Sequence, residues 1–325
     1  MTRQTVVLDE CLPEIRVSEG RIGGTSATGG ITGAAPTSER EQRDERNRDE
    51  VVSLHGAFHY VICRVVMSGA ETTNALANSG WTAESLGVLE RACDHYGGFE
   101  TWRALFEVRL HLERLCGLVP WMKGNGRTFT LPQTAAIRPH QRWMRFSCYP
   151  DPEHAGIFDN GKVRIERLDG GAATAQADDH RRSFRGLAMN RRWSPLDALY
   201  FFGYALTHYH SLPFSLLDAR LIRLSEVGAR GDRLSVLDVE LPADLHTHNR
   251  HQRFYFNRSG RLERHDYHSE IIGFFARGAH FWQRQTRFNG FPIALSRYVT
   301  LRLGAQSCPL TALHATFVDA EVELR

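Results

Sequence analysis

Residues 193–214, WSPLDALYFFGYALTHYHSLPF, describe a helix with almost no wet face. Ser194 offers an N-cap hydroxyl, Pro195 suits the first helical position and Asp197 falls at N3, so the start is strongly signalled. Leu196, Leu199, Tyr200, Phe202, Ala205, Leu206 and Tyr209 then cover more than half the circumference. A helix that is apolar nearly all round must be buried on several sides. The rest of the chain has to wrap it.

The flanking sequence supplies strands for the wrapping. In FEVRLHLERL, Phe106, Val108, Leu110 and Leu112 alternate with Glu107, Arg109, His111 and Glu113, one face for a core and the other for water. Similar segments are expected near 127–138, 140–149 and 153–168, the last divided at Asn160-Gly161, a favoured hairpin dipeptide. After the helix come strands near 219–227, 233–241, 250–257, 261–270, 280–288, 291–302 and 313–324. Connections this short make an antiparallel meander, because parallel crossovers need a dozen residues or more. The GGAATAQADD stretch reads as a hairpin tip or loop. Upstream of the strands, TAESLGVLERACDHYGG predicts a helix capped by Thr82, with only a partial capping box at Ser85. The fold class expected is α+β: a curved antiparallel sheet, an open half-barrel, around a buried central helix, with a short N-terminal helix.

FYFNRSGRLERHDYH, residues 254–268, is where register matters most. A three-residue loop with Gly260 left-handed pairs Asn257 with Arg261 and sets Phe256 against Leu262. If the strand then continues unbroken, Phe254, Phe256, Leu262, Arg264, Asp266 and His268 face the core and His265 and Tyr267 face out. A slip of one residue exchanges the two sets. The same parity carried upstream turns His246 and His248 inward. With His268 these suggest a divalent transition-metal site, or with Asp266 a proton-transfer site. The alternative for Arg264 and Asp266 is a structural ion pair at a sheet end. His208 and His210 at the end of the helix could face the concavity, but histidine near a helix C-terminus is expected from the helix macrodipole alone, and that is the preferred reading.

A curved sheet around a helix that arrives midway through the chain resembles the half-barrel of the bacterial lipoprotein carriers of the Lol system. The resemblance spans roughly residues 100–325 and rests on strand order, the central helix and FYFNRSGRL, which is similar to a hairpin of those carriers. It implies a concave apolar surface able to accept an acyl chain. The chain departs from those carriers in showing no export signal and no lipid-attachment cysteine.

Composition narrows the function classes. A formal net charge of +3, with lysine only at Lys123 and Lys162, leaves no basic stripe interleaved with aromatics, which argues against a nucleic-acid partner. Six scattered cysteines without a CxxC pair read as reduced and packed. No apolar run reaches the length of a membrane span, so a cytoplasmic protein is expected. Residues 18–50 are too poor in apolar side chains to offset the entropy of ordering. Residues 1–66 are therefore expected to be a disordered extension, either a true tail or sequence upstream of the real start. A helical lead-in follows at 67–100 and the sheet domain at 101–325.

The function that follows is a noncatalytic binding module for a hydrophobic or lipid-like small molecule, without a cofactor. Phe202, Tyr209, Phe254, Phe256 and Trp282 would line its site, and Arg264, Asp266 or His268 would meet a polar head. The competing expectation is an enzyme built on His246, His248, Asp266 and His268 in the same concavity.

Overall fold

Every strand is bonded to a sequential neighbour except at one join, where the first meets the last. The computed structural model describes residues 79–124, 132–228, 233–304 and 306–325, all within one compact unit that runs from Glu71 to Arg325. The expectations for residues 1–66 and for the start of the lead-in lie outside the described residues.

Two helices open the described chain, α1 (Ala83–His95) and α2 (Gly98–Ala104). The cap of α1 is a full reciprocal box rather than a partial one. The Ser85 amide donates to Thr82 Oγ1 at 3.2 Å and the Thr82 amide to Ser85 Oγ at 2.8 Å. Strand β1 (Leu105–Cys116) follows, then α3 (Leu118–Lys123), a short helix that carries no amphipathic signal of its own. Strands β2 (Gln133–Arg138), β3 (Trp143–Phe146), β4 (His154–Asp159), β5 (Lys162–Arg167) and β6 (Ala173–Ala177) form one wing. Strand β6 corrects the expectation of a loop. Its sequence ATAQA, small and polar by turns, is held by backbone pairing with β5 and has little side chain to announce it.

The central helix α4 (Pro195–Ser211) separates this wing from the second, β7 (Arg220–Val227), β8 (Leu234–Glu240), β9 (His251–Phe256), β10 (Leu262–His268), β11 (Arg277–Phe288), β12 (Phe291–Leu303) and β13 (Gln306–Leu324). All thirteen strands lie in one antiparallel sheet of order β6-β5-β4-β3-β2-β1-β13-β12-β11-β10-β9-β8-β7. The sheet does not close, since β6 and β7 stand at opposite edges. This is the expected open half-barrel.

Helix α4 is buried as its composition demands. Its N-terminus is a capping box, Ser194 with Asp197, reinforced by Arg191 Nη2 donating to Asp197 Oδ1 at 2.7 Å and by His180 Nε2 donating to the same oxygen at 2.8 Å. With Asp197 fully buried, these bonds satisfy a carboxylate that solvent cannot reach. One side of α4 rests on the β2–β6 wing. There Gly203 permits the approach: a Cβ at that position would lie 2.3 Å from Cγ of Phe158 on β4. The other side meets β9–β11 through aromatic and histidine rings.

The hairpin between β9 and β10 turns as the sequence implies. Gly260 has φ of +81°, Asn257 donates its amide to Arg261 O at 3.0 Å, and Phe256 pairs with Leu262. The parity beyond Leu262 is the reverse of the expectation. A β-bulge at Glu263 shifts the register, so Arg264 pairs with Tyr255, His265 with Phe254 and Asp266 with Arg253. The extra residue is held by its own carboxylate, which accepts from Asn257 Nδ2 at 2.8 Å and from Arg261 Nε at 2.8 Å. His265 and Tyr267 consequently face α4, while Arg264 and Asp266 lie on the outer face.

Candidate functional site

Between α4 and the concave face of β1, β13, β12 and β11 lies a cavity of about 990 Å³, its open mouth included. Phe202, Ala205 and Leu206 of α4 form one wall, and Leu112, Val299, Ala312 and Phe317 are among the strand side chains opposite. On β12 the wall positions Arg297, Val299 and Leu301 alternate as one face of a strand must, while the register shifts of β1 and β13 bring Leu112 with Leu115 and Ala312 with Phe317 to the same space. Leu118 and Met122 bring α3 over one side. Phe275 and Arg277, both exposed, stand where the space meets solvent.

The polar members of the wall are few: Tyr209, Tyr267, Ser269, His280, Arg277 and Arg297. Tyr209 anchors a buried ring cluster behind the cavity. Its hydroxyl bonds His248 Nε2 at 2.7 Å, the Tyr204 hydroxyl bonds His248 Nδ1 at 2.9 Å, and the His248 ring stacks on Tyr267 with centroids 3.8 Å apart. His265 Nε2 donates to Gln252 Oε1 at 2.5 Å while its ring stacks on Phe254 at 4.4 Å. His280 stacks on Trp282 at 5.1 Å. Burial holds His248, His265 and His280 well below the ordinary imidazole range and pushes His208 down to about 4. These rings are therefore neutral at pH 7 and behave as amphipathic packing.

Of the residues expected to bind a ligand, Phe202 and Tyr209 line the cavity. Phe254 and Phe256 are wholly buried in the core, and Trp282 lies beneath Arg297, outside the wall. Arg264 and Asp266 are corrected outright, because the bulge turns them to the other face. There Arg264 Nε donates to Asp266 Oδ1 at 2.6 Å, the Tyr255 hydroxyl donates to Asp266 Oδ2 at 2.9 Å, Arg302 stands 3.6 Å away, and the Arg264 guanidinium covers the Tyr255 ring. The structural ion pair is the reading the geometry supports.

The expected metal ligands do not converge. His246 is bonded to the Tyr200 hydroxyl at 2.8 Å, His248 is occupied at both nitrogens, and His268 Nε2 donates to Gly273 O at 3.1 Å. Residues 241–250 form a loop rather than a continuation of β9, so the i, i+2 parity that grouped His246 with His248 has no strand to act on. Among the described residues no group of three His, Cys, Asp or Glu side chains is placed to hold a metal ion. A proton-transfer pair of His248 with Asp266 fails on the same geometry, since the two lie on opposite faces of the sheet.

Arg297 is the wall residue the sequence reading missed. It sits mid-strand in β12, paired with Trp282 and Ala315, and is 3% exposed. The signal was present in FPIALSRYVTLRL: Arg297 shares the parity of Ile293, Leu295, Val299 and Leu301, an arginine in a run of inward slots.

No family model matches the chain, and no curated protein matches it significantly. Among solved structures it is similar to a LolA superfamily protein from Nitrosomonas europaea, with 10% identity over 73% of this chain and 92% of that one and a TM-score of 0.37. It is likewise similar to an outer membrane lipoprotein-sorting protein domain from Vibrio parahaemolyticus, at 10% identity, 72% and 91% coverage and a TM-score of 0.36. A DUF1329 family protein from Desulfovibrio piger gives 9% identity, 72% and 91% coverage and a TM-score of 0.35.

Proposed function

We propose that this protein is a noncatalytic binding module for a hydrophobic or lipid-like small molecule held between α4 and the concave face of the sheet. The observation that carries the reading is the cavity itself, an open space whose wall is mainly aliphatic and aromatic along four adjacent strands and the helix facing them. Each methylene transferred from water into such a space contributes about 0.8 kcal/mol. An aliphatic chain of about ten carbons therefore offers roughly 8 kcal/mol before the costs of association and ordering, and a preformed site keeps the second of these small. Preformation is supported by α4, which is packed on both wings and capped at its start. No helix among the described residues is long and apolar enough to cross a membrane.

The test is native mass spectrometry of the purified full chain, with titration of a fluorescent fatty acyl probe. A retained apolar ligand or saturable probe binding, weakened at least tenfold when Ala205→Phe fills the cavity, is the expected result. Absence of both ligand and probe binding would remove the proposal.

A further inference from the structure

The cavity has one feature an apolar container does not need. Arg297 lines it, its guanidinium carbon 5.8 Å from the ring of Phe317 in the same wall, and among the described residues no carboxylate pairs with that group. Its Nε donates to Ala294 O at 3.3 Å and its Nη2 to His210 Nε2 at 3.0 Å. His210 is a neutral acceptor there, since its Nδ1 donates to Leu206 O at 2.8 Å. The faces of Trp282 and Tyr209 lie 4.7 and 5.7 Å from the guanidinium carbon. Nη1 has no hydrogen-bond partner, and neither have Nε1 of Trp282 or Nδ1 of His280 beside it.

An ionised group withdrawn from water is costly unless paired and fully bonded. Aromatic faces attract a cation but bring no negative charge. Burial lowers the Arg297 pKa only to about 10, so the charge persists at pH 7. A buried, incompletely bonded cation at the edge of an aliphatic space is complementary to a molecule that brings the missing anion, and a planar guanidinium matches a planar carboxylate best.

Building on the binding function above, we infer that the ligand is an aliphatic amphiphile with a single carboxylate head, and that Arg297 is the anchor for that head. The single cation suits a monoanion. Arg277, at the mouth and exposed, remains hydrated and contributes little to the preference.

Isothermal titration of the purified full chain with dodecanoate, dodecan-1-ol and dodecyl phosphate tests this. The wild-type protein should bind dodecanoate at least tenfold more tightly than dodecanol. Arg297→Met should erase that difference while leaving dodecanol affinity within about twofold, and Arg277→Gln should preserve it. Equal affinity for acid and alcohol in the wild type, a preference that survives Arg297→Met, or tenfold tighter binding of dodecyl phosphate would each overturn the assignment. If the alcohol binds and the acid does not, the anchor falls and the cavity reading stands. If none of the three binds, both fall. The wild-type comparison needs no variant, so the test holds even should Arg297→Met fail to fold.

Discussion

Gly203→Ala probes how closely α4 is seated on the sheet. In an exposed helix this change is stabilising by about 1 kcal/mol, because alanine loses less backbone freedom than glycine. Here the new Cβ would lie 2.3 Å from Cγ and 2.4 Å from Cβ of Phe158, more than 1 Å inside ordinary contact. Phe158 is 1% exposed and its Cβ is fixed by the backbone of β4, so a rotamer change does not relieve the overlap and helix or strand must move. Overpacking of this severity costs about 3 kcal/mol, the upper end of the usual range. The net expectation is a loss of about 2 kcal/mol, taking the propensity gain into account. With a urea m-value near 3 kcal/mol/M, the unfolding midpoint should fall by roughly 0.7 M. Combining the change with Phe158→Ala should cost less than the sum of the two by at least about 1 kcal/mol, since removing the ring gives the displaced helix room to settle. Neutral or stabilising behaviour of Gly203→Ala would refute the close helix–sheet approach, and with it the wall of the cavity that the preceding residue, Phe202, helps to form.

Three further outcomes follow from the same geometry. Gly260→Ala should destabilise the protein by more than about 2 kcal/mol in urea unfolding, because φ is +81° and the added Cβ would meet Arg91 O of α1 at 2.1 Å. Asp266→Asn should cost about 3 kcal/mol, leaving Arg264 and Arg302 without their shared acid, yet leave acyl-probe affinity unchanged, because the pair lies on the outer face; a selective loss of binding would restore Asp266 to the site. His208 is charged below pH 6.5 in the unfolded chain but only below about 4 in the fold, so the unfolded state binds more protons in that window. Stability should fall as pH drops from 6.5 toward 4, by roughly 3 kcal/mol from this residue alone, and His208→Leu should flatten that limb in pH-dependent thermal melts.

Alternation and turn chemistry reveal most of the architecture, and they fail where the side chains carry no pattern. The strands with large inward residues and the helix apolar all round are legible at a glance, and a curved sheet is the simplest way to bury that helix. Strand β6 is hidden because alanine and threonine bury too little to create an amphipathic signal. The register of β10 is legible up to Leu262 and lost one residue later. Yet Leu262 and Tyr267 are five positions apart, an odd spacing that no unbroken strand can turn to one face, and this mismatch was the mark of the bulge. The site suffered most from that slip. Three of the eight residues expected at the ligand, Arg264, Asp266 and His268, followed the unbroken parity, whereas Arg297, on a strand without a bulge at that point, follows simple alternation and was legible all along.

The join of β1 to β13 has a consequence for synthesis. Arg109 and Glu321 meet across it, 212 residues apart in the chain. Each wing can zip along consecutive hairpins as it leaves the ribosome, but the seam awaits β13, and pairing across so long a sequence separation is slow. Because β13 supplies Ala312, Ala315 and Phe317 to the wall, the cavity is incomplete until that strand has been made and paired.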